Sequence, residues 1–131
     1  MKKESLKKLK EELWRVFSIY IRTRDNFKCI SCGKQLTRAT SQAGHYIPKS
    51  MGLIYYFNEK DTNCQCLPCN IYLHGNLAPY ALGLIKKYGV GVLYELDSLK
   101  GTKIKYTRDG YLNLIKQYHN KLDALLETRY H

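Results

Sequence analysis

The sequence predicts a mainly helical α+β domain in which a short, cysteine-stapled core sits between amphipathic helices. Three observations predict it. Apolar residues recur at helical spacing near both ends of the chain, the middle is short-patterned and rich in turns, and that middle holds two Cys-x2-Cys pairs, Cys29/Cys32 and Cys66/Cys69. Thiolates in x2 pairs can meet on one tetrahedral ion at about 2.3 Å each, so one structural Zn²⁺ held by these four cysteines is the expected staple.

The elements follow in order. Leu6, Leu9, Leu13, Val16, Phe17, Tyr20 and Ile21 mark an amphipathic helix over about residues 4 to 23. Lys2, Lys3, Lys7, Lys8 and Lys10 lie on its N-terminal end and outer face, as a solvated surface or one that meets DNA. Cys29 to Lys34 reads as a zinc knuckle, with Gly33 allowing the tight turn. Ala43 to Ile47 reads as a short strand stopped by Pro48. Residues 49 to 65, with Tyr55, Tyr56 and Phe57, read as a loop. The second knuckle should open a short helix from Asn70 to about Leu73, ended by Gly75. A helix is expected from near Ala78 to Gly89, with Pro79 in its first turn, and another from Val92 to Lys100. The last helix starts after Thr107 and carries the stripe Tyr111, Ile115, Tyr118, Leu122 and Leu125. Together these make one domain of 131 residues: a basic helix over 1–24, a zinc core over 25–77 and C-terminal helices over 78–131.

The charge narrows the partners. Lys and Arg number 22 against 11 acidic residues, for a net charge of +11. An acidic partner follows, with nucleic acid first and an anionic membrane surface second. No apolar run approaches the roughly 20 residues a membrane span needs. The charged start, Met1 to Ser5, is not expected to be a secretory signal. Five cysteines is an odd number for a disulfide framework, which favours metal binding and a reducing cytosol. Cys64 offers a rival to Cys66, but an x2 pair bridges an ion with less strain, so Cys64 is read as a free or buried thiol.

Between the cysteine pairs stands Ala43-Gly44-His45-Tyr46, and Asn70 follows the last cysteine directly. Phosphodiester hydrolysis needs a base to deprotonate water and a divalent ion to offset charge on the phosphate. Neutral imidazole suits the base role, so His45 is its candidate. The carbonyl oxygen of Asn70 suits a hard ion; a helix cap or a surface polar residue is its plainer reading. Lys28, Lys34, Arg38 and Lys49 are candidate phosphate contacts. Tyr46, Tyr55, Tyr56 and Phe57 either stack on unpaired bases or form a small core under the knuckles. His74 is a second ligand, a phosphate contact or a helix-terminal residue. His119 and His131 are assigned no chemistry.

Taken together, Cys29-x2-Cys32, Ala43-Gly44-His45-Tyr46, Gln65-Cys66-x2-Cys69-Asn70, Gly75-Asn76 and Pro79-Tyr80 resemble the phage NinG/Rap recombination proteins over roughly residues 25 to 96. That family is in turn similar to the His-Asn-His (HNH), or ββα-metal, endonucleases. The resemblance implies an HNH-like ββα-metal core and a structure-selective endonuclease for branched DNA, such as Holliday junctions and D-loops. It implies Mg²⁺ or Mn²⁺ as catalytic ion, His45 as general base, Asn70 as a ligand of that ion and, for a phage-encoded protein, the host cytoplasm.

One position departs from the wider pattern. Gly44 stands where many ββα-metal nucleases carry an aspartate that ligates the ion. Another oxygen must then serve, with Asp61 the candidate and Glu59, Asn63 or the phosphate itself as alternatives, unless His45 itself binds metal. Asp61 and Asn63 both sit near the place of the motif's middle asparagine. The missing aspartate favours a second reading, a non-catalytic zinc-stabilised accessory protein that binds junction DNA; a third is an RNA-binding or protein-interaction zinc domain. A four-way junction has twofold symmetry, so a homodimer would present two sites to opposed strands, with the first and last helices as one possible interface.

Overall fold

The computed structural model describes residues 4–130, with Tyr130 described by its backbone alone. Lys2, Lys3 and His131 lie outside the described residues. Helix α1 runs over Leu6–Arg24. Ser5 caps it, its Oγ accepting the Lys8 N–H at 3.2 Å, a bond that typically stabilises a helix by about 1 kcal/mol. Leu9, Leu13, Val16, Phe17 and Ile21 are its buried face.

That face packs against α5, Arg108–Tyr130. Thr107 sets the start of α5, its Oγ1 accepting the Gly110 N–H at 3.1 Å. Tyr111, Ile115 and Tyr118 supply the buried stripe, while Leu122 and Leu125 are only half-buried. Phe17 and Tyr118 meet edge to face at 5.0 Å, and Phe57 meets Phe17 in the same way at 5.6 Å. Each fully buried side chain of this size contributes about 1.5–3 kcal/mol. The two terminal helices therefore cover each other's apolar faces.

The sheet has two antiparallel strands, β1 (Ser41–His45) and β2 (Thr62–Cys66), with Gly44 opposite Asn63 and His45 opposite Thr62. β1 begins and ends two residues earlier than the sequence suggests. The Tyr46 N–H still reaches the Asp61 carbonyl at 2.9 Å, but the ladder ends there because the Asp61 N–H turns to Asn58 Oδ1 at 2.9 Å and the Ile47 N–H to Asp61 Oδ1 at 2.8 Å.

The expected loop over 49 to 65 is not a loop. It holds a 3₁₀ turn (Lys49–Met51), a short helix α2 (Leu53–Tyr56) and all of β2 but its last residue. Every residue of β2 is buried, so the alternation that marks a half-exposed strand is missing from the sequence. Tyr55 and Phe57 are core residues, whereas Tyr56 is half-exposed.

A π-helical turn, Pro68–Tyr72, follows the strand and carries Asn70; it opens two residues before the helix expected there. Helix α3 (Leu77–Tyr88) ends at Gly89, whose φ of +93° favours glycine and whose N–H reaches the Ile85 carbonyl at 2.7 Å. Helix α4 (Gly91–Asp97) stops before the expected Lys100. Tyr80, Leu84, Val92 and Leu96 form the core between α3 and α4. β1 thus lies between two supports. Ala43 packs into the α1–α5 core, and the Tyr80 hydroxyl of α3 reaches the Gly44 carbonyl at 2.6 Å. No described helix is long and apolar enough to cross a membrane.

Candidate metal centre and catalytic site

The two knuckles converge. The Sγ atoms of Cys29, Cys32, Cys66 and Cys69 all lie within 4.8 Å of one another. Cys32 and Cys66 are 3.7 Å apart at sulfur, close to the roughly 3.8 Å edge of a tetrahedron with arms of about 2.3 Å. Four thiols at this spacing fit Zn²⁺. Backbone amides reinforce the cluster, with the Cys69 N–H 3.5 Å from Cys66 Sγ, and Asn76 Nδ2 lies 3.5 Å from Cys69 Sγ. Burial raises the Cys29 thiol, but backbone N–H groups of Cys32, Cys66 and Ser31 outweigh it and draw its pKa below the usual value. Cys64 stands outside the four; burial, with the nearby Asp25 carboxylate, pushes its thiol up to about 12, the behaviour of an inert buried residue.

His45 ends β1 and faces α1. Its ring stacks on Trp14, with centroids 5.4 Å apart and planes 21° from parallel, and its Nε2 lies 2.9 Å from the Tyr56 carbonyl oxygen. A carbonyl only accepts, so Nε2 carries the proton and Nδ1 keeps its lone pair. Burial first, then the Lys49 charge, hold the imidazole pKa below its ordinary value, although the Tyr56 bond opposes them. The ring is therefore neutral at neutral pH and oriented, with one nitrogen left as a base. Lys49 Nζ stands 5.2 Å from the Trp14 ring centre and 5.1 Å from that of Tyr56, and Lys10 Nζ stands 4.3 Å from the latter.

Asn70 approaches the neighbouring residue from the other side. A Cβ built on Gly44 would lie 2.8 Å from Asn70 Oδ1 and would collide with Gln65 Oε1. Asn70 Nδ2 donates to Gln42 Oε1 at 2.7 Å. The structure thus brings Asn70 beside Gly44, one residue from His45, while no hydrogen bond joins His45 to Asn70 among the described residues.

Asp61, the ion ligand expected from the sequence, lies inside the fold. Its side chain is fully buried, its Oδ1 takes the Ile47 N–H, and its Oδ2 has no partner. Burial raises its pKa to about 7. The alternatives are engaged as well. Glu59 accepts from Tyr118 at 2.9 Å and Lys121 at 2.8 Å. Asn63 donates to the Lys60 carbonyl and the Tyr80 hydroxyl and accepts from Arg24 and Lys87.

The candidate phosphate contacts are all exposed. Lys49 stands at His45. Lys28, Lys34 and Arg38 belong to the knuckle side, where Lys28 lines a cavity of about 680 Å³ together with Arg24, Lys86 and Lys87. Neither His45 nor Asn70 lines that cavity. His74 is exposed with φ +50°, at the turn after the π-helical segment.

Sequence reasoning missed four contributors. Trp14 carried a signal, an aromatic beside the apolar stripe of α1. Tyr80 appeared only as part of a motif, yet its hydroxyl lies within 3.1 Å of the Gly44 and Asp61 carbonyls and of Asn63 Nδ2. Gln65 is buried within β2. Asp25 accepts from Arg24 and Lys87, each at 2.8 Å, and from the Cys64 N–H at 2.9 Å, tying β2 to α1 and α3. Burial raises its carboxyl, but those two cations hold it below the usual range.

The family model described as Bacteriophage Lambda NinG protein matches residues 1–127. Protein ninG of Salmonella phage P22 is 34% identical over 111 residues, 84% of this chain and 54% of that protein. Protein ninG of Escherichia phage lambda is 35% identical over 111 residues, 84% of this chain and 53% of that protein. Protein ninG of Enterobacteria phage H19B is 39% identical over 80 residues, 60% of this chain and 39% of that protein. The chain spans about half the length of the first two relatives. No solved structure matches.

Proposed function

This chain belongs to the phage NinG family, and from that premise we propose that it is a structure-selective, metal-dependent DNA endonuclease acting on branched recombination intermediates such as Holliday junctions and D-loops. The observation that carries the reading is His45. Its Nε2 is tied to the Tyr56 carbonyl at 2.9 Å, which leaves Nδ1 unprotonated, as a base must be. The order of two antiparallel strands followed by a helical turn bearing Asn70 agrees with a ββα-metal unit.

In this reading His45 Nδ1 takes a proton from water as that water attacks the phosphate. Trp14 and Tyr56 hold the imidazole, and Lys49 holds a neighbouring phosphate. A divalent ion, Mg²⁺ or Mn²⁺, would offset charge on the phosphate, with Asn70 Oδ1 among its ligands. Zinc at the four cysteines is structural and fixes the turn that carries Asn70. Lys28, Lys34 and Arg38 hold the backbone at a distance from the cut, and the net charge of +11 supplies the attraction. Work in the host cytoplasm suits these reduced thiols. A symmetric dimer would match the symmetry of a four-way junction. Its interface would have to lie outside the apolar faces of α1 and α5, which are buried against each other.

Gly44 favours a second reading, because no carboxylate is offered at that position. The chain would then bind junctions through its basic surface while another enzyme cuts. A nicking assay with Mg²⁺ or Mn²⁺ on four-way, flap and linear DNA of matched length separates the two. Cutting of branched substrates by the wild type and none by His45→Ala supports the nuclease. Tight junction binding without cutting supports the accessory role, and equal cutting of all three leaves a non-specific nuclease.

A further inference from the structure

The geometry points to Gln65 as the oxygen ligand that takes the place of the carboxylate absent at Gly44, so that Gln65 Oε1 and Asn70 Oδ1 together cradle the divalent ion. The inference rests on the endonuclease reading and deepens it by completing the ion's protein ligands.

Three observations carry it. Gln65 is fully buried, and its Oε1 has no hydrogen-bond partner. A buried amide oxygen without a donor is costly, so something is expected to meet it. The amide cannot simply be turned over. Its Nε2 donates to Ser31 Oγ and to the Gly75 carbonyl, each at 2.8 Å, and turning it would set two carbonyl oxygens against each other.

Second, Gln65 Oε1 and Asn70 Oδ1 converge on the same space, the volume a side chain on Gly44 would fill. Two acceptors facing one another repel unless a donor or a cation lies between them. Amide oxygens are ligands that a hard divalent ion accepts, at about 2.1 Å for Mg²⁺.

Third, the absence of a carboxylate at position 44 becomes intelligible. Gln65 Oε1, from the opposing strand, occupies the space that a Cβ at position 44 would need, so no side chain can stand there. Two neutral oxygens bring no charge, so the substrate phosphate would supply it, and ion affinity would rise when DNA is bound.

The test follows the side-chain carbonyl ¹³C resonances of Gln65 and Asn70 by NMR during Mg²⁺ titration of the zinc-loaded chain. It is run on the wild type alone and on His45→Ala bound to a short DNA duplex, which stays uncut. Both resonances are expected to move together, saturating at one Mg²⁺ concentration that is lower with DNA present. Gln65→Met, which keeps volume and removes the oxygen, should weaken Mg²⁺ binding by more than the roughly 10- to 100-fold typical of losing an outer-shell partner. Movement of Asn70 with Gln65 stationary overturns the inference and leaves the endonuclease reading intact. If neither moves, the cradle is an amide network in which Asn70 is turned to donate to Gln65. The nicking assay then stands alone as the judge of catalysis.

Discussion

Trp14 of α1 stacks on His45 of β1, with ring centroids 5.4 Å apart and planes 21° from parallel. The contact ties a helix far away in the sequence to the residue proposed as the base. Tyr56 closes the same ring from its edge, at 6.0 Å. The N-terminal helix is therefore part of the proposed site as well as part of the core.

Trp14→Ala should loosen the His45 ring while leaving the α1–α5 core largely in place, because Trp14 is only half-buried. Misplacing a catalytic group by about 1 Å can cost up to about 10²-fold. The expected outcome is a fall of that order in kcat with KM little changed, and substantial recovery in Trp14→Phe. An imidazole freed into water should also titrate closer to its ordinary pKa of about 6.5, which NMR of His45 would register.

His45→Ala should lower cleavage by about 10² to 10⁴ and leave DNA binding nearly intact, since the lost group acts on water. The base works in its neutral form, and burial and Lys49 hold its pKa below the ordinary value. Activity should therefore persist through neutral pH and be lost as pH falls through a value under about 6.5. Lys49→Met removes one of the lowering influences, so the acid limb of the kcat/KM profile should move to higher pH. An unmoved limb would separate Lys49 from the base.

Zinc should be found at about one ion per chain, and its removal by chelator should abolish cooperative folding. Structural zinc in small domains typically contributes about 10 kcal/mol or more. Cys69→Ser should lose the ion, whereas Cys64→Ser should keep it, because Cys64 lies outside the four converging sulfurs. Metal analysis with thermal unfolding of both variants checks this, and zinc loss in Cys64→Ser would reassign the site.

Asp61 should make stability fall with rising pH. Its folded pKa is raised from 3.8 to about 7 by burial, so the unfolded chain releases the proton first. The stabilisation is complete below about pH 3.8 and is lost as pH rises through about 7. Asp61→Asn keeps an oxygen for the Ile47 N–H. It should exceed the wild type in stability at alkaline pH by a few kcal/mol and converge with it in acid. Urea unfolding at several pH values measures the difference.

Gly44→Ala should destabilise the fold, because its Cβ would collide with Gln65 Oε1, whose amide is held in place by two hydrogen bonds from Nε2. Overpacking of this kind costs about 1–3 kcal/mol. In a double-mutant cycle with Gln65→Ala, the two losses should be less than additive, since the second change empties the space that the first one fills. Strict additivity would mean that the two residues do not compete for that space.

The local features were legible in the sequence. Each Cys-x2-Cys pair lies within one knuckle, so neighbouring residues alone aim two thiolates at one ion. The stripes of α1 and α5 follow from helical period, because burial of one helix face imposes it on Leu9, Leu13, Tyr111 and Ile115. Gly89 ends α3 by its own backbone freedom. Other features depend on residues far apart in the chain. β2 was hidden because all five of its residues are buried and none alternates. Asp61 meets the Ile47 N–H inside the fold only once the chain around it closes. Gln65 faces Gly44, and Trp14 faces His45, only because strand register and helix packing bring them together. Short-range spacing determines knuckles, caps and helix faces. Which side chain meets which across the sheet is decided by tertiary packing, where burial and hydrogen bonds are settled jointly.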